Sequence, residues 1–121
     1  MPARWTRLRD SIINAGLSAP KDVSPINKGT ISQITDHLKK GYPVIVWSKG
    51  KPFASGTAHY MTLIGIREDG YVFLSDSANS KGINKAVYNG KQYYVDTWIS
   101  TDDLITGNVK EFLLVGPKGM F

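Results

Sequence analysis

Apolar residues recur at three- and four-residue spacings twice before residue 40, and beyond it they fall into short dense runs. Trp5, Leu8, Ile12 and Ala15 form one such stripe, which predicts a helix over Arg4–Ala15 with Gly16 as its stop. Leu17 to Gly29, carrying Pro20 and Pro25, reads as a loop. Ile31, Ile34 and Leu38 then mark a second helix, Ile31–Lys40. Thr30 stands at its cap, Lys39 and Lys40 at its negative end, and Gly41 just past it.

After residue 41 the period changes. Tyr42-Pro43-Val44-Ile45-Val46-Trp47 is a nearly continuous apolar run, the pattern of a strand covered on both faces. Ser48 to Thr57 reads as a loop. His59–Ile66 and Tyr71–Ser75 predict two strands joined by a tight turn at Arg67-Glu68-Asp69-Gly70. Asp76 to Gly82 is polar loop. Ile83–Tyr88 and Lys91–Thr97 flank Asn89-Gly90, a strong signal for a two-residue hairpin. Ser100 or Thr101 caps a brief helix through Leu104, with Asp102 and Asp103 as helix-end charges. Glu111–Val115 is a last strand, ended by Gly116-Pro117. The order predicts an α+β fold: two N-terminal helices packed on a curved, mainly antiparallel sheet of five or six strands.

The chain has 121 residues, 41% of them hydrophobic and 21% charged, which fits one globular domain over 1–121. It contains no cysteine. That excludes disulfides, thiolate-held zinc or iron–sulfur clusters, and thiol catalysis by this chain alone. The net charge of +5 comes from scattered cations. These read as a solvated basic surface with affinity for anionic polymers, and no nucleic-acid reading motif accompanies them. No apolar run reaches the ~18–20 residues of a membrane span, and the N-terminus lacks the apolar stretch of a signal peptide. The expected setting is cytoplasmic, or extracellular and wall-associated if the chain belongs to a longer exported protein.

His59 begins a strand and Asp76 follows the end of the next. If Glu68-Asp69 is a two-residue turn, His59 falls opposite Ala78, with Asp76 two residues away on the same face at a diagonal of ~7–8 Å. A three-residue turn ending at Gly70 reverses that parity. An imidazole oriented by a carboxylate at a loop-rich sheet edge is the base half of a nucleophile–base–orienter triad. Ser48, Ser55 and Thr57 lie near it in sequence, but no nucleophile elbow presents them, and they read as loop residues. His37 and His59, with Asp36 or Asp76, match no zinc spacing, and His37 reads as a solvated residue on a polar helix face; no metal or cofactor site is expected. Most of the tryptophans and tyrosines read as packing groups. Trp47 and Tyr60 are the pair expected to flank a substrate groove.

Three strings carry a family likeness: His37-Leu38-Lys39-Lys40-Gly41-Tyr42-Pro43-Val44-Ile45-Val46, Ala58-His59-Tyr60-Met61-Thr62-Leu63-Ile64-Gly65-Ile66, and Asp69-Gly70-Tyr71-Val72-Phe73-Leu74-Ser75-Asp76-Ser77-Ala78. Their order and spacing resemble the C-terminal, His/Asp-bearing half of the C39-like family of papain-like cysteine peptidases. In that family a helix ends in Leu-x-x-Gly-x-Pro-Val-Ile, a strand begins with His, and an Asp follows the next strand. Trp98–Leu104 also looks like the family's last segment, so the resemblance runs over roughly Ile31 to Val115. It implies a bacterial or phage hydrolase acting on peptide or peptidoglycan amide bonds, with His59 as base and Asp76 as orienter. The family's nucleophilic cysteine and oxyanion-hole glutamine lie on an earlier helix and have no counterpart before residue 30. The Arg4–Ala15 helix, with Ser11 near its middle, looks like the family's second helix. The chain is then either the C-terminal portion of a longer enzyme or a nucleophile-less relative. The alternative is a non-catalytic module that recognises cell wall or a protein partner. In either case the edge bearing Trp47, His59 and Tyr60 is expected to be an apolar seam. A second copy of the chain, the segment Met1–Trp5 or a separate helical half would cover it.

Overall fold

The computed structural model describes residues 1–49, 58–75, 85–88, 91–94 and 97–121, with backbone alone at His59, residues 85–88 and 91–94, and Thr97. Among the described residues, three helices, α1 (Ala3–Asn14), α2 (Ile31–Lys39) and α3 (Thr101–Thr106), accompany ten strands. The strands are β1 (Leu17–Ser18), β2 (Ser24–Pro25), β3 (Val44–Ser48), β4 (His59–Ile66), β5 (Val72–Ser75), β6 (Lys85–Tyr88), β7 (Lys91–Tyr94), β8 (Thr97–Ile99), β9 (Val109–Leu114) and β10 (Gly116–Pro117). Six of them form the main sheet in the order β2-β9-β3-β4-β5-β8, and every pairing is antiparallel. The expected α+β architecture is therefore the observed one.

The two faces of the sheet are covered separately because β3 alternates. Val44 and Val46 point into the larger core with Ile34 and Leu38 of α2, Met61 and Leu63 of β4, Val72 and Leu74 of β5, and Leu104 of α3. Ile45 and Trp47 point the other way, toward Trp5 and Ile12 of α1 and Leu113 and Val115. A strand sandwiched between helices on both sides reads as an unbroken apolar run, which is what the sequence displays.

Both early helices end where a left-handed glycine follows: Gly16 has φ 86° and Gly41 φ 88°. At the start of α2, Thr30 occupies the cap position but its hydroxyl does not cap the helix. It donates instead to the Pro25 carbonyl at 2.6 Å and accepts from the Asn27 amide at 3.0 Å. Asn27 Oδ1 in turn accepts from Gly29 and Thr30. The loop before α2 is thereby tied to β2. Ser100 does cap α3, accepting from the Asp103 amide at 3.1 Å.

Four expectations change. The segment after Gly16 is not all loop: β1 pairs with β10 and β2 with β9. Gly116-Pro117 therefore does more than end a strand. Ser48 lies at the end of β3, fully buried, rather than in a loop. His37 is not solvated. It is 6% exposed, its Nε2 is 2.7 Å from the Val115 carbonyl, and its ring lies against Tyr42 and Phe121. A polar residue can be buried when its hydrogen bond is met, and here the partner comes from the far end of the chain.

The turn after β4 has three residues. Arg67 N–H donates to the Tyr71 carbonyl at 2.8 Å, and Gly70 adopts φ 88°. The ladder then shifts register between Leu63 and Gly65, leaving Ile64 unpaired. This bulge returns Thr62 to a place opposite Ser75, the register that a two-residue turn would have produced. The strands on either side of Asn89-Gly90 pair with Tyr88 opposite Lys91, as a two-residue hairpin requires. Asn89, Gly90, Asp76, Ala78, Ser55, Thr57 and the loops containing them lie outside the described residues.

Candidate functional site

The elements expected to carry chemistry meet at one end of the main sheet. At the end of β3, Trp47 lies opposite Tyr60 and Ser48 opposite His59. On its other side β3 meets β9, with Trp47 opposite Glu111 and Ser48 opposite Val109 across a second register shift. His59 thus starts β4 directly beside a buried serine, one step from the Trp47–Tyr60 pair. β5 ends at Ser75 opposite Thr62, and Asp76 follows it in the sequence. The His59 side chain and Asp76 lie outside the described residues.

The first turn of α1 closes over the two aromatics. Trp5 is fully buried. Its ring meets Tyr60 edge to face, with centroids 5.0 Å apart and planes at 75°, a favourable quadrupolar arrangement. Its indole N–H donates to Glu111 Oε1 at 2.9 Å. The same oxygen accepts from Arg4 Nε at 2.9 Å, and the Arg4 guanidinium lies 4.1 Å over the Trp47 ring. The Tyr60 hydroxyl donates to the Arg4 carbonyl. Arg4 and Trp5, from one of the three covers expected for this edge, lie against Trp47 and Tyr60.

Glu111 organises this cluster. One carboxylate oxygen fixes the arginine and the indole together, and charge-assisted bonds of this kind are the stronger ones. Burial pushes the Tyr60 phenol above its usual pKa; Arg4 opposes that shift and Glu111 adds to it. Tyr60 therefore stays a neutral donor through the physiological range. Sequence reasoning did not single out Arg4 or Glu111. The only available signal was a charged strand residue standing just before the apolar run of β9, and its partners are more than a hundred residues away.

Beside this cluster a cleft of about 430 Å³ opens between Arg4, Pro25, Trp47, Lys49, Lys110 and Glu111. Trp47 therefore contributes to an accessible wall, whereas Tyr60 is engaged with α1. Among the described residues, no group of three or more His, Asp or Glu could hold a metal ion. None of the described helices is long and apolar enough to cross a membrane.

The described residues thus form an antiparallel sheet with helices on both faces, and a histidine opens one of its central strands. A family model, the Peptidase_C39 like family, matches residues 3–105, and the chain belongs to that family. It is thus a relative of the papain-like cysteine peptidases. The match begins earlier than the motif strings and takes in α1. No curated protein and no solved structure matches the chain.

Proposed function

We propose that this chain carries the base half of a papain-like amide-hydrolysing site, with His59 as general base and Asp76 as its orienter. The substrate would be a peptide or the peptide portion of peptidoglycan. The observation that carries this reading is the family match laid on the β3–β4–β5 ladder. His59 opens one strand, and Asp76 follows the last residue of the antiparallel neighbour. In such a site the imidazole takes the nucleophile's proton and later returns it to the leaving amine. The carboxylate holds the tautomer and stabilises the imidazolium. Trp47, which lines the cleft at this end of the sheet, would contact the flank of the substrate. The chain has no cysteine, so it forms no thioester by itself.

The test is an NMR titration of His59 in the native chain and in Asp76→Asn. A carboxylate beside an imidazole raises its pKa, so the substitution is expected to lower it. An unchanged titration would remove Asp76 from the role. The pure chain should show no iodoacetamide-sensitive peptide hydrolysis, and detecting any would overturn the reading of this chain as the base half alone. A second reading, a wall- or partner-binding module, is favoured by the missing thiol together with the basic cleft. Salt-resistant sedimentation of the pure chain with purified cell walls would support it.

A further inference from the structure

We propose that the cleft between Arg4, Trp47, Lys49 and Lys110 binds the carboxylate side chains of an acidic peptide. Among the described residues that line it, three cations stand against one carboxylate, a surplus of two positive charges. Glu111 is already committed, since its Oε1 accepts from both Arg4 and Trp5. It holds the guanidinium over Trp47 without using all five of that group's N–H donors. The Arg4 side chain remains 44% exposed. Lys49 and Lys110 are exposed, and neither ammonium has an ion-pair partner among the described residues.

This combination fits a carboxylate on a short aliphatic stem. A guanidinium held in place presents a planar fork that matches a carboxylate, and little side-chain entropy remains to be lost when it binds. The lysines add charge without fixed direction. Pro25 and the exposed edge of Trp47 offer apolar wall to the stem. The choice of a peptide over other polyanions rests on the peptidase reading. Lys49 follows Ser48, whose register partner is His59. Trp47 faces α1 and Ser48 takes the alternate side of β3, so a peptide with an acidic side chain in the cleft would reach an amide held at His59 by turning over this end of the sheet, a few residues on at ~3.3 Å each. The cleft would then select acidic residues on one side of the bond that is cut.

The experiment uses the 121-residue chain and three probes: fluorescein-labelled hexaglutamate, its hexaglutamine counterpart, and a glycerol phosphate oligomer of equal charge. Binding is read by anisotropy and by amide shifts at Trp47 and Lys49, at low and at physiological ionic strength. Hexaglutamate should bind, more weakly as salt rises, and hexaglutamine should not. Reversing both lysines, Lys49→Glu with Lys110→Glu, should weaken binding about tenfold or more. Both sites are exposed, so the melting temperature should hold. Equal binding of the two peptides, tighter binding of the phosphate oligomer, or indifference to the reversals would each overturn the proposal. Turnover plays no part in this measurement. A failed His59 titration and a failed hexaglutamate titration are therefore separate results.

Discussion

The two faces of the main sheet are built differently. Under α2 and α3 the packing is almost wholly apolar, from Ile34 and Leu38 across Val44, Met61, Leu63 and Leu74 to Phe112. Under α1 the buried apolar group is smaller, Trp5, Ile12, Ala19, Leu113 and Val115, and it is fastened by polar contacts. Trp5 and Arg4 both bond to Glu111, and Tyr60 bonds to the Arg4 carbonyl. Apolar packing is non-directional and tolerates rearrangement, whereas a carboxylate shared between an indole and a guanidinium fixes orientation. The first face holds the sheet together, and the second sets the position of a few side chains at the end of the sheet where β4 begins. The α1 face is also incomplete. Beyond α1, Ile64 is 57% exposed, and Phe73 and Trp98 stack edge to face, centroids 5.2 Å apart.

Substitutions can break this contrast in graded steps. Phe112→Ala, on the apolar face at 2% exposure, should cost about 3–5 kcal/mol and lower the denaturant midpoint of the whole chain. Trp5→Ala should cost about 3 kcal/mol, with a different distribution. Hydrogen exchange should speed in α1 while the β3–β4 amides remain protected. If the β3–β4 amides lose protection equally, the two faces form one cooperative unit and the contrast fails. Glu111→Ala leaves the Trp5 indole without an acceptor and should cost about 1–3 kcal/mol. It should also free Arg4 from Trp47, seen as a change in indole fluorescence. The smallest effect belongs to Asp69. Its bonds from Arg67, at 2.7 and 3.1 Å, and from the Tyr71 amide hold its pKa below the ordinary aspartate value. A depressed carboxylate stabilises the fold above its unfolded pKa and loses that contribution as pH falls through the folded one. Asp69→Asn should therefore melt slightly lower than the native chain at neutral pH. The gap should close as pH falls through that depressed value; a gap that persists in more acidic solution would mean the side chain acts by shape rather than charge.

Much of this architecture was legible in the chain. The glycine stops of α1 and α2, the apolar run of β3 and the span of β4 all rest on local pattern, and local pattern is what a sequence displays. The two-residue strands β1, β2 and β10 were not legible. Each contains or adjoins a proline or glycine and is too short to show a period, and each exists only because a distant partner lies alongside. His37 was misread for the same reason, since its hydrogen-bond acceptor lies 78 residues on. Of the site, His59, Trp47 and Tyr60 could be placed on strands from pattern alone. Glu111 and Arg4 could not, because a charged residue in a strand or a helical first turn is usually solvated. The parity of the β4–β5 hairpin needed both the turn length and the bulge, and neither is encoded in alternation.

That bulge has a consequence for how the chain can change in length. Losing one residue from a strand ordinarily swaps the faces of everything on one side of the loss. At Ile64 the reverse holds. Leu63 and Ile66 both face the larger core although three positions apart, and Ile64 has no partner across the ladder. A chain lacking Ile64 would regain strict alternation, with Leu63 still opposite Leu74 and Thr62 still opposite Ser75. Relatives of this protein should therefore tolerate a one-residue gap at this point and nowhere else in β4.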